Sequence, residues 1–471
     1  MTYLGIDIGS SFIKAAAFDL ETCRAVLHTT FPTGGRLKNP DPKIFELDAG
    51  ALAGTVRRTI EKIRSAAGRI DGIVLSTQMH GFVFHREGVP DRYVSWQDSR
   101  CTRSVPGGEE SWLDLLKRRI PPERMRSCGV YLKPSLGLCN LYALVHAEGA
   151  GDPSGELFTL GSYVIWKLTG NNICHMTNAA PLGLADVTAG TWDAGLISLL
   201  RFDGIRMPRI APADFQPCGT CRCGGEEIPV FPDYGDQQTA ILGSSAGPGD
   251  IVVNIATASQ ISAFSDRFVP GGYEVRPYFE GRYINTISNM PGGRNLDVLI
   301  SFLRECMEKA CGGRPTPKQA WDAVLKDFRQ DSRGLRTNLD FYDTPENLRG
   351  GAISSIRPEN FGIQPLFSAA FEYMARRYCE SIRTLTGGKK PRGGLVFSGG
   401  ISWKTPPLLK VASDAAGLPY RLSSIPNEAF SGLFRIALVC SGVCRSLDEN
   451  PGMVLKIDEG DASLEFPKNE N

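Results

Sequence analysis

Long apolar runs are missing from this 471-residue sequence. No stretch reaches the roughly 18 uncharged hydrophobic residues that a membrane-spanning helix needs. A surplus of one charge is missing too. Lys and Arg number 52 against 51 Asp and Glu, a net charge of +1, which excludes the cationic surface that nucleic acids or anionic membranes demand. Gly and Pro, 52 and 31 residues, stay below the roughly one quarter of a chain that marks low-complexity or collagen-like sequences. Histidine is scarce: His28, His80, His85, His146 and His175 all lie in the first half. Neither the G-x-x-x-x-G-K-[ST] phosphate loop nor the G-x-G-x-x-G dinucleotide turn occurs. Gly243-Ser-Ser-Ala-Gly247 fits the G-x-S-x-G pattern of serine hydrolases. However, Gly247-Pro-Gly249 blocks the helix that must follow, and no histidine comes later to complete a triad. Cysteines are 13, odd in number and scattered, and read as reduced thiols. No basic segment precedes the apolar Tyr3–Ile8, which Asp7 interrupts, so no signal peptide is expected. A cytoplasmic enzyme acting on small molecules is the class that remains.

What is present is an alternation of strand and helix patterns, which predicts an α/β architecture. Two apolar runs around Gly9-Ser10-Ser11 read as a hairpin over Tyr3–Asp19. Leu52, Val56, Ile60 and Ile63 recur at helical spacing, and Gly72–Ser76 reads as a buried strand. Helical patches follow at Leu113–Lys117, Leu141–Ala147 and Tyr163–Leu168. In the second half, Ile251–Asp266 lies on the first hairpin at a constant offset of 247 residues. Asn254 then falls on Asp7, Ile255 on Ile8, Ala263 on Ala16 and Asp266 on Asp19. Such an echo predicts two domains of like construction. Phe367, Phe371, Met374, Tyr378, Ile382 and Leu385 form one helical stripe, read as core. A strand ending in Ser398-Gly399-Gly400 and a helix near Leu408–Ala416 follow. The boundary is expected at 240/241, giving domains 1–240 and 241–471. Cys218-Gly-Thr-Cys221-Arg-Cys223 has metal-like spacing, but no second C-x-x-C or nearby histidine accompanies it, and these read as loop cysteines.

A turn of Gly and Ser exposes consecutive backbone N–H groups, a concave anion site. Gly9 permits close approach, Ser10 and Ser11 add hydroxyls, and Lys14 adds positive charge. Asp7, entering the turn, could hold a phosphate-bound Mg2+ through water. The echo at Asn254–Ser259, with Thr257 and Ala258 in its turn, and the pairs Gly292-Gly293 and Gly399-Gly400 supply further close-approach points. Together they fit a nucleotide.

The first hairpin, Gly235-Asp236-Gln237-Gln238, the second hairpin and Ser398-Gly399-Gly400 resemble, in order and spacing, the FGGY carbohydrate kinases. That resemblance implies an actin/hexokinase/Hsp70-type fold, two ribonuclease-H-like domains flanking a nucleotide cleft, with ATP and Mg2+ as cofactors. It implies Asp236 as catalytic base, also holding Mg2+ through water. An aspartate with an ordinary pKa near 4 would be ionised at neutral pH without tuning; Asp233 is the rival carboxylate. The substrate pocket would comprise Gln78, Met79, His80, Trp96, Asp98, Arg100, Asn178 and Gln237. Hydroxyl-reading donors and acceptors beside a flat apolar wall suit a polyol. Gln78-Met-His-Gly81 with Trp96-Gln-Asp98 and Arg100-Cys101 is similar to sedoheptulokinases, with xylulokinases next. The expected reaction is phosphorylation of a ketose's terminal hydroxyl, sedoheptulose for instance, by a monomer or homodimer. A chaperone-like ATPase and a catalytically silent sugar sensor are the alternatives. Two departures stand out. Thr344-Pro-Glu-Asn-Leu-Arg349-Gly350 replaces a Gly-Glu-Arg element, and no adenine-side Asn follows Gly400 in Ile401–Thr405.

Overall fold

The first 19 residues carry β-branched and small apolar side chains on either side of a turn, and they fold accordingly. Strands β1 (Thr2–Ile8) and β2 (Phe12–Asp19) form an antiparallel hairpin closed by Gly9-Ser10-Ser11. The structure is a computed structural model that describes residues 1–147, 153–342, 350–423, 427–449 and 453–457. Thr344–Arg349, singled out above, lie outside the described residues. β3 (Arg24–Pro32) continues the hairpin antiparallel to β2. On the other side β4 (Gly72–Thr77) pairs parallel to β1. The sheet ends in β5 (Gly219–Cys223) and β6 (Glu226–Gly235), in the order β5-β6-β4-β1-β2-β3. Cys221 and Cys223 therefore sit in an edge strand, not a loop; with Cys218 they turn into the hydrophobic core as buried thiols. Among the described residues no group of three or more His, Cys, Asp or Glu is placed to hold a metal.

Helix α1 (Ala49–Ala67) starts where the Asp48 carboxylate accepts the Ala51 N–H at 2.8 Å and stops at Gly68, whose φ is +82°. Its stripe Leu52, Val56, Ile60 and Ile63 is buried in one hydrophobic core with Leu4, Ile6 and Ile8 and with residues of α2 (Leu160–Thr169). A second, smaller sheet of Glu46–Asp48, Phe82–His85, Arg92–Val94, Gly155–Phe158 and Ile205–Arg206 extends this unit. Helix α3 (Asp236–Gly243) follows β6 directly.

A second unit repeats the topology. Strands β7 (Ile251–Ile255), β8 (Ser259–Ser265), β9 (Tyr283–Met290), β10 (Leu395–Ser398) and β11 (Tyr420–Leu422) run in the order β9-β8-β7-β10-β11. β7 and β8 are antiparallel, and β10 and β11 continue parallel from β7. This is the arrangement β3-β2-β1-β4-β6 again. Helices α4 (Gly293–Cys311), α5 (Ile363–Thr386) and α6 (Pro406–Ala416) complete it, with all six stripe residues of α5 buried.

The hairpin echo holds at Asn254 and Ile255 but slips beyond the turn. Asp7 faces Lys14 across the first hairpin, whereas Asn254 faces Gln260 across the second. The second turn is one residue shorter, so Ser262 occupies the place of Ala16, and Ser265, the last residue of β8, that of Asp19. The Ala263 and Asp266 matches are off register.

The units also depart from a single cut at 240/241. The first comprises Met1–Gly243, Asp266–Tyr283 and the described chain from Asn427 onward; the second comprises Ser244–Ser265 and Ile284 onward to Ser423. The return is driven by packing. Helix α7 (Glu428–Cys440) crosses α3 where Gly243 and Gly432 meet backbone, and a Cβ on either would overlap a carbonyl oxygen, of Glu428 or Thr239 respectively. Phe430 and Phe434 of α7 then pack edge-to-face on Phe18, with ring centroids 6.1 and 5.9 Å away.

Candidate active site

Asp236 is presented by the break between β6 and α3. Pro232 has no N–H for the ladder, and β6 slips register against β4 between Val230 and Asp233. Past this bulge the two carboxylates enter different surroundings. Asp233 is fully buried and accepts the Thr159 hydroxyl at 2.6 Å and the His175 N–H at 2.7 Å. It joins α2 and the segment before Asn178 to the sheet; burial pushes it up to about 6. Asp236 is only partly buried. Its Oδ1 accepts the Gln237 N–H at 2.8 Å, at the helix end whose dipole favours an anion. Loss of water and then the negative charge of Asp7 push Asp236 up to about 7, against the pull of the Gln237 N–H and Arg276. The expectation of an untuned aspartate is thereby corrected.

Asp7 is buried one residue before the end of β1, where its neighbour across the parallel pair, Ser76, donates to Oδ1 at 2.5 Å. Burial raises its pKa; Ser76 and Lys14, opposite in the hairpin, work against the rise. The turn beyond it is tied. Gly9 N–H donates to Phe12 O at 3.0 Å, so it is not the open donor expected of an anion cradle. Ser10 and Ser11 are exposed. Ser10 Oγ donates to Gln78 Oε1 at 3.2 Å and accepts the indole N–H of Trp96 at 2.8 Å. Gln78 Nε2 reaches Gly9 O at 3.3 Å. The turn and two expected pocket residues thus form one constellation, with Trp96 39% exposed and its indole available to a ligand.

Met79 is buried, its Sδ 2.8 Å from where a Cβ on Gly235 would lie. His80 sits in the left-handed region at φ +67°. Its Nδ1 lies 2.9 Å from Pro181 O, and since a carbonyl only accepts, Nδ1 carries the proton. Nε2 is left as acceptor for Arg276 at 3.3 Å. Burial and the cations Lys133 and Arg276 push His80 down to about 3, so the ring is neutral. Gln237 Oε1 accepts from the same guanidinium.

Three expected pocket residues are differently engaged. Arg100 is buried with bonds to Glu46 Oε1 at 2.6 Å and to Asp98 Oδ2 at 2.8 Å, and Asp98 also accepts the Phe45 N–H at 2.7 Å. Their polar atoms brace the segment that carries Trp96. Asn178 Nδ2 donates to Thr77 Oγ1 at 3.1 Å and to Asp233 O at 2.9 Å, again within the framework. Sequence reasoning missed Glu46, Tyr93, Lys133, Glu274 and Arg276. The last two lie in the segment 266–283, which follows the second hairpin in sequence yet belongs to the first unit; only the fold reveals that. Tyr93 is wholly buried with no hydrogen-bond partner for its hydroxyl, and the Asp236 charge acts on it.

The residues fit a magnesium ion held largely by water and phosphate. Asp7 and Asp236 repel one another electrostatically, a strain that a divalent cation relieves, and two carboxylates are too few for an all-protein cage.

In the second unit Thr257, Ala258, Gly292, Gly293 and Gly399 gather around the β7–β8 turn. Thr257 O accepts the Arg294 N–H at 3.0 Å, and Ala256 O accepts the Gly293 N–H at 2.8 Å. A Cβ on Gly292 would stand 2.6 Å from the Ala258 carbonyl carbon, and one on Gly399 (φ +84°) 2.6 Å from Ile255 O. These glycines let backbone meet backbone. Gly400 faces open space. Asn254 Nδ2 donates to Ser398 Oγ at 3.1 Å, the uncharged counterpart of Asp7 with Ser76. Only the first hairpin carries the acid.

The sequence pattern of the N-terminal domain of the FGGY family of carbohydrate kinases matches residues 2–243. The chain belongs to that family. It is similar to a glycerol kinase of Cereibacter sphaeroides, 30% identical over 263 residues, which is 51% of this chain and 50% of the relative. A glycerol kinase of Chelativorans sp. is 27% identical over 259 residues, 51% of this chain and 49% of the relative. The chain thus spans about half the length of the curated relatives it matches. Its fold is similar to that of a ligand-bound xylulose kinase from Lactobacillus acidophilus, with TM-score 0.82, 16% identity, and 98% and 94% of the two chains covered. Its fold is the two-domain actin/hexokinase type.

Proposed function

We propose that this FGGY protein transfers the γ-phosphoryl group of ATP to a sugar hydroxyl, with Asp236 as the base. The observation that carries the reading is the placement of Asp236: partly open, at a helix N-terminus, coupled to Asp7, and beside Arg276, which also holds His80 and Gln237. Phosphoryl transfer demands positioning and charge stabilisation more than covalent chemistry. Asp236 would orient the acceptor hydroxyl and take its proton as the oxygen attacks phosphorus. Bound Mg2+, held through water by Asp7 and Asp236, would neutralise charge on the phosphates. Ser10, Ser11 and Lys14 would face the phosphates, and Thr257, Ala258, Gly292, Gly293, Gly399 and Gly400 would be nucleotide contacts. Gln78, Met79, His80, Trp96 and Gln237 would line the sugar pocket, with Asp98, Arg100 and Asn178 bracing it.

The acceptor we propose is the terminal hydroxyl of a ketose such as sedoheptulose, on the Gln78-Met-His-Gly81 and Trp96-Gln-Asp98 motifs. A pentose or polyol is the second reading, favoured by the naming of similar proteins as xylulose and glycerol kinases. ADP release with Mg2+, measured over ketoses, aldoses and polyols of three to seven carbons, separates them. Stimulation by a seven-carbon ketose above all others supports the first; preference for a pentulose or glycerol replaces it with the second. Asp236→Ala should abolish turnover, by about 10³-fold or more, while ATP binding measured by calorimetry persists.

A further inference from the structure

Arg276 is nearly inaccessible, with 3% of its surface exposed, yet it is not an isolated structural ion pair. Its Nε donates to Glu274 Oε2 at 3.2 Å, and one terminal nitrogen reaches the same oxygen at 2.5 Å and His80 Nε2 at 3.3 Å. The other terminal nitrogen donates to Gln237 Oε1. Glu274 is in turn bonded by Lys133, so one buried carboxylate anchors two cations. Two residues expected to face the sugar, His80 and Gln237, are thus oriented by one group that neither motif contains.

We propose that Arg276 is the positioning residue of the sugar pocket, fixing the His80 tautomer and the direction of the Gln237 amide. Arginine has only donors. It therefore keeps His80 Nε2 as an acceptor, acting with Pro181 O on Nδ1 to fix the Nδ1–H tautomer, and it holds Gln237 with Oε1 toward the guanidinium and NH2 on the amide's other side. Four of the five Arg276 N–H groups are engaged in these contacts, and the fifth is on the nitrogen that meets Gln237. The fifth Arg276 N–H is the donor that these contacts leave over. A sugar oxygen, either a carbonyl or a hydroxyl lone pair, would accept from it, and an analogue lacking that oxygen would leave it unpaired. Lysine in place of Arg276 keeps the charge but cannot bridge three partners from one planar group.

The inference rests on the kinase reading for its substrate, and its first test does not. Nitrogen-15 NMR of the five-histidine protein should show one ring, removed by His80→Gln, as a neutral Nδ1–H tautomer at pH 7. Arg276→Met should shift the Nε2 resonance of that ring or release the tautomer, and Arg276→Lys should do so partially. An Nε2–H ring in the wild type, or one unmoved in Arg276→Met, overturns the positioning role whether or not any sugar is phosphorylated. The second test is kinetic, on whichever acceptor the panel identifies. Arg276→Met should raise the acceptor KM at least tenfold and leave the ATP KM within twofold, with Arg276→Lys between them. Equal loss for both substrates, or no change, contradicts the proposal. If no acceptor is found, the kinase reading fails and the NMR result stands alone. Circular dichroism and melting of each variant separate misfolding from loss of positioning, and Glu274→Gln, which removes the anchor's charge, should reproduce the tautomer change.

Discussion

At the scale of single residues, the chemistry turns on how differently three aspartates are housed. Asp233 is sealed into the framework, Asp7 is bonded to Ser76, and Asp236 stays partly open beside Asp7's charge. With its pKa pushed up to about 7, Asp236 would lose its proposed role as base on protonation. The acid limb of kcat/KM for the acceptor should therefore fall below a pH near 7. Asp7→Asn removes the like charge, so the limb should move to lower pH even though the maximal rate drops; an unmoved limb would show that Asp236 does not titrate as described. The same shift has a stability consequence. The folded protein holds a proton on Asp236 that the unfolded chain has released, so this group's contribution is greatest at low pH and declines as pH rises between about 4 and 7. Asp236→Asn should raise the melting temperature at pH 8 and leave it nearly unchanged at pH 4, as differential scanning fluorimetry would reveal. Much of this residue scale escaped the sequence. Asp236, Gln78, Trp96 and the Gly9 turn stand in local motifs, and so could be read. The burial that raises Asp236 has no local signal, the Glu46–Arg100 and Lys133–Glu274 bonds join residues 54 and 141 positions apart, and Asp98–Arg100 and Glu274–Arg276 pair ordinary residues without a pattern.

At the scale of elements, hairpins and helix crossings decide the geometry. The hairpins were legible because apolar runs around a Gly/Ser or Ala/Thr turn permit little else. Their register was not, because one residue fewer in the second turn changes every cross-strand partner without altering composition. The crossing of α3 and α7 depends on Gly243 and Gly432, whose absent side chains admit the carbonyls of Glu428 and Thr239. Gly432→Ala forces backbone apart, and should destabilise the first unit by about 3 kcal/mol, measured by urea unfolding. A loss under 0.5 kcal/mol would mean that the crossing relaxes freely.

At the scale of the molecule, each unit repeats one strand order, and the first is assembled from three stretches of chain. The twofold construction could be inferred from the sequence. The assignment of 266–283 and 427 onward could not, since it follows from packing on α3 and Phe18 rather than from any local signal. A fragment of residues 1–240 leaves the Phe18 face and half of the His80 clamp uncovered. It should bind a hydrophobic dye and melt without cooperativity, whereas a sharp transition would restore a boundary near 240.

The most direct measurement is phosphorus-31 NMR of the protein with ATP, Mg2+ and the preferred acceptor. A sugar phosphate monoester should appear mole for mole with ADP, and neither signal should appear with Asp236→Ala. Inorganic phosphate in place of the ester, or an undiminished ester signal from that variant, would contradict the proposed reaction.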